Sequence, residues 1–446
     1  MLKRSITPLH ATALVVGIII GASIFVQPTV IAGTLDSVGS VYLVWIISGV
    51  LTLFGALIAA ELASAYPEAG GVYVFLREAF SPAAGFLWGW AMFWTMHTGI
   101  IAVIAMVFAR YASFFLPVGD VGQRALAVTA IVALTGINCL GVRQGSLLQT
   151  TFTILKVGAI VAIIVLAFTL GTPADLSRVT YDASSPPISP IPPLDASHFV
   201  FAVVAGLFAF GGWHMVTYAA EETTEPEKTI PRALVVGVTI VTLCYIAMNA
   251  AYFHVLRPDQ VASSTRVAAD AADAILGHGG AAVMSAIVAV STFGALNGVI
   301  LAGPRAYLAM ARDGLVSPWL AAIHERYRTP HRAILLQGAW AIVLVSTGTY
   351  RALFTRVVYT EWIFFAAMAI GLMRLRGRPS YRPAYRVRGY PAIPVVFIVC
   401  SLYIVYKQVV TDGVSAWIGL GLVAAGWPVY ALFLKKPSMT TAQHAD

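Results

Sequence analysis

ATALVVGIIIGASIFVQPTVIAG, residues 11–33, and FVFAVVAGLFAFGGWHMVTYAA, residues 199–220, are the two stretches on which the fold turns. Each is long enough to cross the roughly 30 Å hydrocarbon core of a bilayer. Each also carries glycines close to its middle: Gly17 and Gly21 in the first, Gly206 and then Gly211-Gly212 in the second. A helix-interior glycine costs about 1 kcal/mol relative to alanine, so such clusters need a reason. One reason is close packing, since Gly17-x-x-x-Gly21 is a small-residue contact motif. The other is interruption. Gly-rich breaks at corresponding places in two halves of a chain point to a midplane binding site. An unwound segment leaves backbone groups unpaired, which is tolerable only where they line a cavity. The N–H groups that open a half-helix suit an anion such as a carboxylate, and nearby free carbonyls suit an ammonium group. A site with both fits a zwitterion, and so amino acids as a class.

Outward from these segments, the composition names the solvent. Of 446 residues, 59% are hydrophobic and 11% charged, against about 25% charged in an ordinary soluble protein. This excludes a soluble enzyme, a disordered chain and a nucleic-acid binder, because a single soluble core cannot hide so much apolar surface. Twelve apolar runs follow one another, near 11–34, 41–66, 83–115, 123–140, 147–170, 199–220, 232–255, 279–304, 332–349, 352–373, 391–410 and 414–434. The fold class expected is an all-α integral membrane protein of 12 transmembrane helices, with helices 1 and 6 discontinuous. Lys and Arg concentrate on the cytoplasmic side of membrane proteins. With the N-terminus inside, 19 of the 28 basic residues fall inside and 8 outside, leaving Lys156 within a span. Both termini are therefore expected in the cytoplasm of a plasma membrane, such as a bacterial inner membrane. The apolar stretch after Lys3 and Arg4 is too long for a cleaved signal. The outer connection 171–198, with Pro186-Pro187 and Pro192-Pro193, reads as an extended surface loop. Six arginines in 374–390 read as a topology determinant. Cys139, Cys244 and Cys400 all lie in apolar runs, so no disulfide framework is expected.

GIIIGASIF at 17–25 resembles the glycine-rich signature of the amino acid–polyamine–organocation (APC) superfamily. FAFGGWHMVTYAAEETTEPEKTIPRAL at 208–234 resembles its L-type amino acid transporter branch, as do AELASAYPEAGGVYVFLREAF (60–80), STFGALNGVILAGPRAYLAMARDGLVSP (291–318) and TEWIFFAAMAIGLMRLR (360–376). The resemblance implies a five-plus-five inverted repeat, residues 1–170 and 199–376, followed by two peripheral helices and a short tail in 377–446. It implies that backbone N–H groups of Gly21, Ala22 and Ser23 bind the substrate carboxylate. Carbonyls of Ile20, Phe208 and Gly211 would hold the α-amino group, and Phe208 would close over it as a thin gate. Two departures stand out: Gly-Ala-Ser replaces the family's Gly-Ser-Gly, and His214 stands where Asn is frequent, which adds it to the substrate-binding candidates. The resemblance also implies that Lys156 takes the place of a sodium ion, tying span 5 to spans 1 and 8, with Ser291 or Thr292 as partners.

Charged groups in apolar spans are expensive and functional by default. Snorkelling to the inner end is the structural alternative for Lys156. Glu361, in span 10, reads either as an interfacial carboxylate near Arg356 or as a proton site. Glu61 is expected to order the loop that follows span 2, His97 to be a core histidine, and Glu221 and Glu222 to seat the cytoplasmic gate. An intramembrane enzyme would need a nucleophile–base or metal constellation, and a channel would need charged or carbonyl rings; neither pattern stands in the sequence. No metal or cofactor is expected, and no disulfide-linked partner chain, since PVGDVGQR (117–124) between spans 3 and 4 carries no cysteine. The reading is a sodium-independent transporter of small or medium neutral L-amino acids working by exchange, the alternative being proton symport.

Overall fold

The computed structural model describes residues 2–35, 37–174, 196–277, 279–348 and 358–434. Most of the proline-rich connection, Arg351, Arg356, Lys435 and Lys436 lie outside the described residues. The described chain is helical, with one isolated bridge between Ile6 and Thr223. Nine helices among the described residues are long and apolar enough to cross a membrane. At the places of the expected spans 1, 9 and 10 stand shorter helices.

The first segment is broken. Helix α1 (Pro8–Ile19) stops at Ile19, a 3-10 turn covers Ser23–Phe25, and α2 (Gln27–Ala32) follows. Gly21 N–H turns back to the Ile19 carbonyl at 2.8 Å, so the regular bond to Gly17 is not made. Pro28 opens α2, where its missing N–H costs nothing. The two readings of the glycine pair thus divide between its members. A Cβ on Gly17 would collide with Thr153 and Gln149 of the helix Val142–Thr169, so Gly17 is a packing residue; Gly21 stands at the break, with Ala295 3.7 Å from where its Cβ would lie.

Helix α3 (Val38–Ala65) packs along α10 (Pro226–Val255). Between them in sequence come α4 (Val72–Ala79), α5 (Pro82–Ala91), a π turn at Met92–Met96, α6 (His97–Ala112), α7 (Asp120–Cys139), α8 (Val142–Thr169) and α9 (Ala196–Ala209). After α9 the second break runs through Phe210–Gly212, and Trp213–Glu222 continues as a 3-10 helix. Gly212 has φ +90°, a left-handed conformation that favours glycine. Beyond α10 lie α11 (Pro258–Ser263), α12 (Val267–Leu276), α13 (Gly280–Ala302), α14 (Pro304–Arg312), α15 (His331–Thr347), α16 (Glu361–Arg376), α17 (Ala392–Asp412) and α18 (Val414–Ala424). The short helices α4, α11 and α12 lie in the connections between the apolar runs.

Ion pairs that cross between distant segments gather on one face of the described residues: Arg305 with Glu222, Arg312 with Glu221, Arg77 with Asp313, and Arg376 with Glu61. Arg77–Glu78, Lys228–Glu225, Arg257–Asp259 and Arg266–Asp270 are local. Glu61 departs from its expected role. It binds Arg376 and receives the Val387 N–H at 2.6 Å. It therefore orders the arginine-rich segment after α16 rather than the loop after its own helix, because the end of α3 packs against α16 and α17.

Candidate functional site

Lys156 is 1% exposed in the middle of α8. Its ammonium donates to the carbonyls of Gly17 (2.9 Å), Ile20 (2.8 Å) and Ser291 (2.7 Å). An ammonium has three donors, and all three are used. The Gly17 carbonyl is open because Gly21 N–H has turned away from it. Ser291 acts at two points: its carbonyl accepts from Lys156, while its hydroxyl lies 3.3 Å from the Ile20 and 3.1 Å from the Gly21 carbonyl. The Thr292 hydroxyl bonds its own helix at Val288. The first break is thus fastened to α8 and α13 by a cation and a hydroxyl held among carbonyl dipoles.

The breaks are joined by a residue the sequence reading missed. Tyr245, on α10, is fully buried and its hydroxyl lies 3.1 Å from the Ile19 carbonyl and 3.0 Å from that of Ala209. Its ring packs edge-on against Trp45 and beside Phe210. A buried tyrosine hydroxyl usually finds a partner, so a signal existed; nothing in the sequence says which carbonyls it meets.

Around these fastenings some backbone groups stay available. The N–H groups of Ala22 and Ser23 make no hydrogen bond among the described residues, and both residues are partly exposed. Ala22 sits at φ −84°, ψ −17°, so the alanine in Gly-Ala-Ser is accommodated without strain. The Phe208 carbonyl accepts from Gly211 N–H at 3.1 Å, and the Phe208 ring is 40% exposed. The segment Ser23–Phe25 lies against α9, which carries Phe208. His214 is buried, with ring centroids of Phe365 at 4.9 Å, Trp213 at 5.4 Å, Tyr218 at 5.6 Å and Trp88 at 5.8 Å. Glu361 opens α16, half-buried, with no ion pair or hydrogen bond among the described residues. His97 is buried, with Nε2 3.0 Å from the Val299 carbonyl. Glu222 is fully buried against Arg305, and its carbonyl also receives the N–H groups of Ser5 and Ile6. No cluster of His, Cys, Asp and Glu able to hold a metal stands among the described residues.

Two broken helices that meet at mid-span, one fastened by a lysine, set the frame for comparison with known proteins. The profile of the family described as "Amino acid permease" matches residues 6–431. This chain belongs to the amino acid permease family. Among its relatives, the serine/threonine exchanger SteT of Bacillus subtilis is 32% identical over 96% of this chain and 96% of its own length. The Asc-type amino acid transporter 1 of Mus musculus is 31% identical, covering 97% of this chain and 81% of the relative. The cystine/glutamate transporter of Homo sapiens is 30% identical, covering 98% and 87%. The permease is thus a membrane-spanning member of the APC superfamily on its L-type branch, and its relatives are transporters rather than enzymes.

Proposed function

We propose that this permease exchanges small or medium neutral L-amino acids across the plasma membrane, without sodium, by alternating access. The observation that carries the reading is the Lys156 ammonium, which occupies a pocket of three carbonyl oxygens beside the first break. A fixed cation there does the work that a bound sodium ion would do, so no sodium is needed to hold the break together. The free N–H groups of Ala22 and Ser23 take the substrate carboxylate, with Gly21 completing the turn. Carbonyls at Phe208 and Gly211 receive the ammonium; the Ile20 carbonyl shares itself with Lys156 and Ser291. Phe208 closes over the solute, and His214 sets the polarity of the region below. The exchange mode is supported by the Bacillus relative, named as an exchanger, which also supports a bacterial inner membrane.

The same reading takes the chain as twelve spans, a five-plus-five inverted repeat over 1–170 and 199–376 with the remaining helices peripheral. Both ends face the cytoplasm, and the chain works without a disulfide-linked partner. A second reading, proton symport, rests on Glu361, a carboxylate at the head of α16 that no cation neutralises among the described residues. Uptake of a radiolabelled amino acid panel into proteoliposomes separates the two. Exchange predicts flux that requires an amino acid inside and ignores both sodium and a pH gradient. Sodium-dependent flux would overturn the role given to Lys156, and flux driven by a pH gradient into empty vesicles would move the reading to Glu361.

A further inference from the structure

A cavity of about 310 Å³ is lined in part by Tyr307 and Met310 of α14, the helix that carries Arg305 and Arg312. Its volume is at the lower end of the range for small-molecule sites. Its wall is aromatic and apolar: Phe86 and Trp90 come from α5, Phe93 and Trp94 from the π turn, Tyr307 from α14 and Leu336 from α15. The Trp94 ring centroid lies 5.6 Å from that of Trp90 and 5.2 Å from that of Phe93, and Trp94 is 39% exposed at the protein surface. Tryptophans of this kind mark the level where bilayer meets water. Tyr307 is 3% exposed, and its hydroxyl has no hydrogen-bond partner among the described residues.

One guanidinium stands beside the cavity. Ser317 and Leu320 line the cavity, and between them Trp319 carries the Arg332 guanidinium 5.3 Å above its ring and bonded to its carbonyl at 3.3 Å. Arg332 is also one helical turn before the lining residue Leu336. Arg326 and Arg328 belong to the same segment, whose one acid is Glu325. Arg326, Arg328 and Arg332 form no ion pair among the described residues.

An apolar trough with a partly exposed tryptophan in its wall, and the Arg332 guanidinium beside it, matches a molecule with a hydrocarbon chain and an anionic head. We propose that this cavity binds an anionic phospholipid, one acyl chain lying among Phe86, Trp90, Phe93 and Leu336 and the phosphate resting on Arg332. Arginine binds phosphate in a fork of two parallel hydrogen bonds. The site is independent of the identity of the transported solute. It also has a lever on transport: α14, which supplies Tyr307 and Met310 to the cavity, carries Arg305 and Arg312, the partners of Glu222 and Glu221.

The test is native mass spectrometry of the full-length, delipidated protein offered equal amounts of phosphatidylglycerol and phosphatidylcholine with chains of different mass. One arginine near an anionic headgroup is worth about five-fold in occupancy, so the retained lipid should be at least about five-fold enriched in phosphatidylglycerol. Arg332→Ala, a surface change, should bring the two lipids level. Leu336→Trp, which fills the trough, should remove the tightly held lipid altogether, and millimolar inorganic phosphate should leave it in place. Equal retention of both lipids by the wild type would overturn the proposal, as would unchanged enrichment in Arg332→Ala or displacement by phosphate alone.

Discussion

At the scale of single residues, the site is a matter of who satisfies which carbonyl. Lys156 meets three, and removing it leaves the Gly17 carbonyl, whose own helical bond is not made, unpaired in the protein interior at about 1–3 kcal/mol. Lys156→Met should therefore lower amino acid uptake in proteoliposomes at least about ten-fold, which needs only about 1.4 kcal/mol of that loss. The measurement to set beside it is thermal stability of the purified protein, which should also fall. Phe208 has a different place: its ring is 40% exposed. Phe208→Ala should slow turnover while leaving the melting temperature near that of the wild type, and an unchanged flux would remove its gating part. Lysine 156 could be singled out from sequence because a cation in an apolar run is costly wherever it points. Tyr245 could not, since a tyrosine in such a run is cheap and its two acceptors, Ile19 and Ala209, lie 226 and 36 residues away.

At the scale of elements, the two interruptions differ in what makes them. In the first, a turn at Gly21 and a proline-started helix suffice. In the second, Gly212 adopts φ +90°, and a Cβ there would also collide with Ile18 of α1. A left-handed conformation costs an ordinary residue about 1–2 kcal/mol before any collision is counted. Gly212→Ala should abolish uptake, whereas Gly211→Ala, with its nearest obstacle the Phe208 carbonyl at 3.3 Å, should retain much of it; equal loss in parallel uptake assays would show that left-handedness is not what the position needs. The breaks were legible because glycine is the residue that an interrupted helix wants and a continuous one avoids. The short helices α4, α11 and α12 and the π turn at Met92–Met96 were not, because hydropathy averages over the length of a span and is blind to anything shorter. Glu61 shows the same limit in another form: its partner Arg376 is 315 residues away, and a carboxylate near a helix end says nothing about distant chain.

At the scale of the whole molecule, the crossing ion pairs fall into two grades. Arg305–Glu222 is buried on both sides, at 1% and 0% exposure, and Arg312–Glu221 is open, at 37% and 28%. Removing one member of a buried pair leaves a bare charge and costs about 3–5 kcal/mol, while an exposed pair is worth at most about 1 kcal/mol. Thermal denaturation should find Arg305→Met strongly destabilised, Arg312→Ala nearly unaffected, and the double change Arg305→Met with Glu222→Gln closer to wild type than Arg305→Met alone. The sidedness of these pairs has a further consequence. Clasps between separate helices gather on one face of the described residues, and Arg305–Glu222 among them is sealed from water. Where access on that side requires the clasps to part, opening it is more work than opening the other, and a solute arriving from either bath should meet a different barrier. Vesicles loaded so that transport runs one way, then the other, should yield two half-saturation concentrations, and raising the electrolyte on the clasped side alone should draw them together.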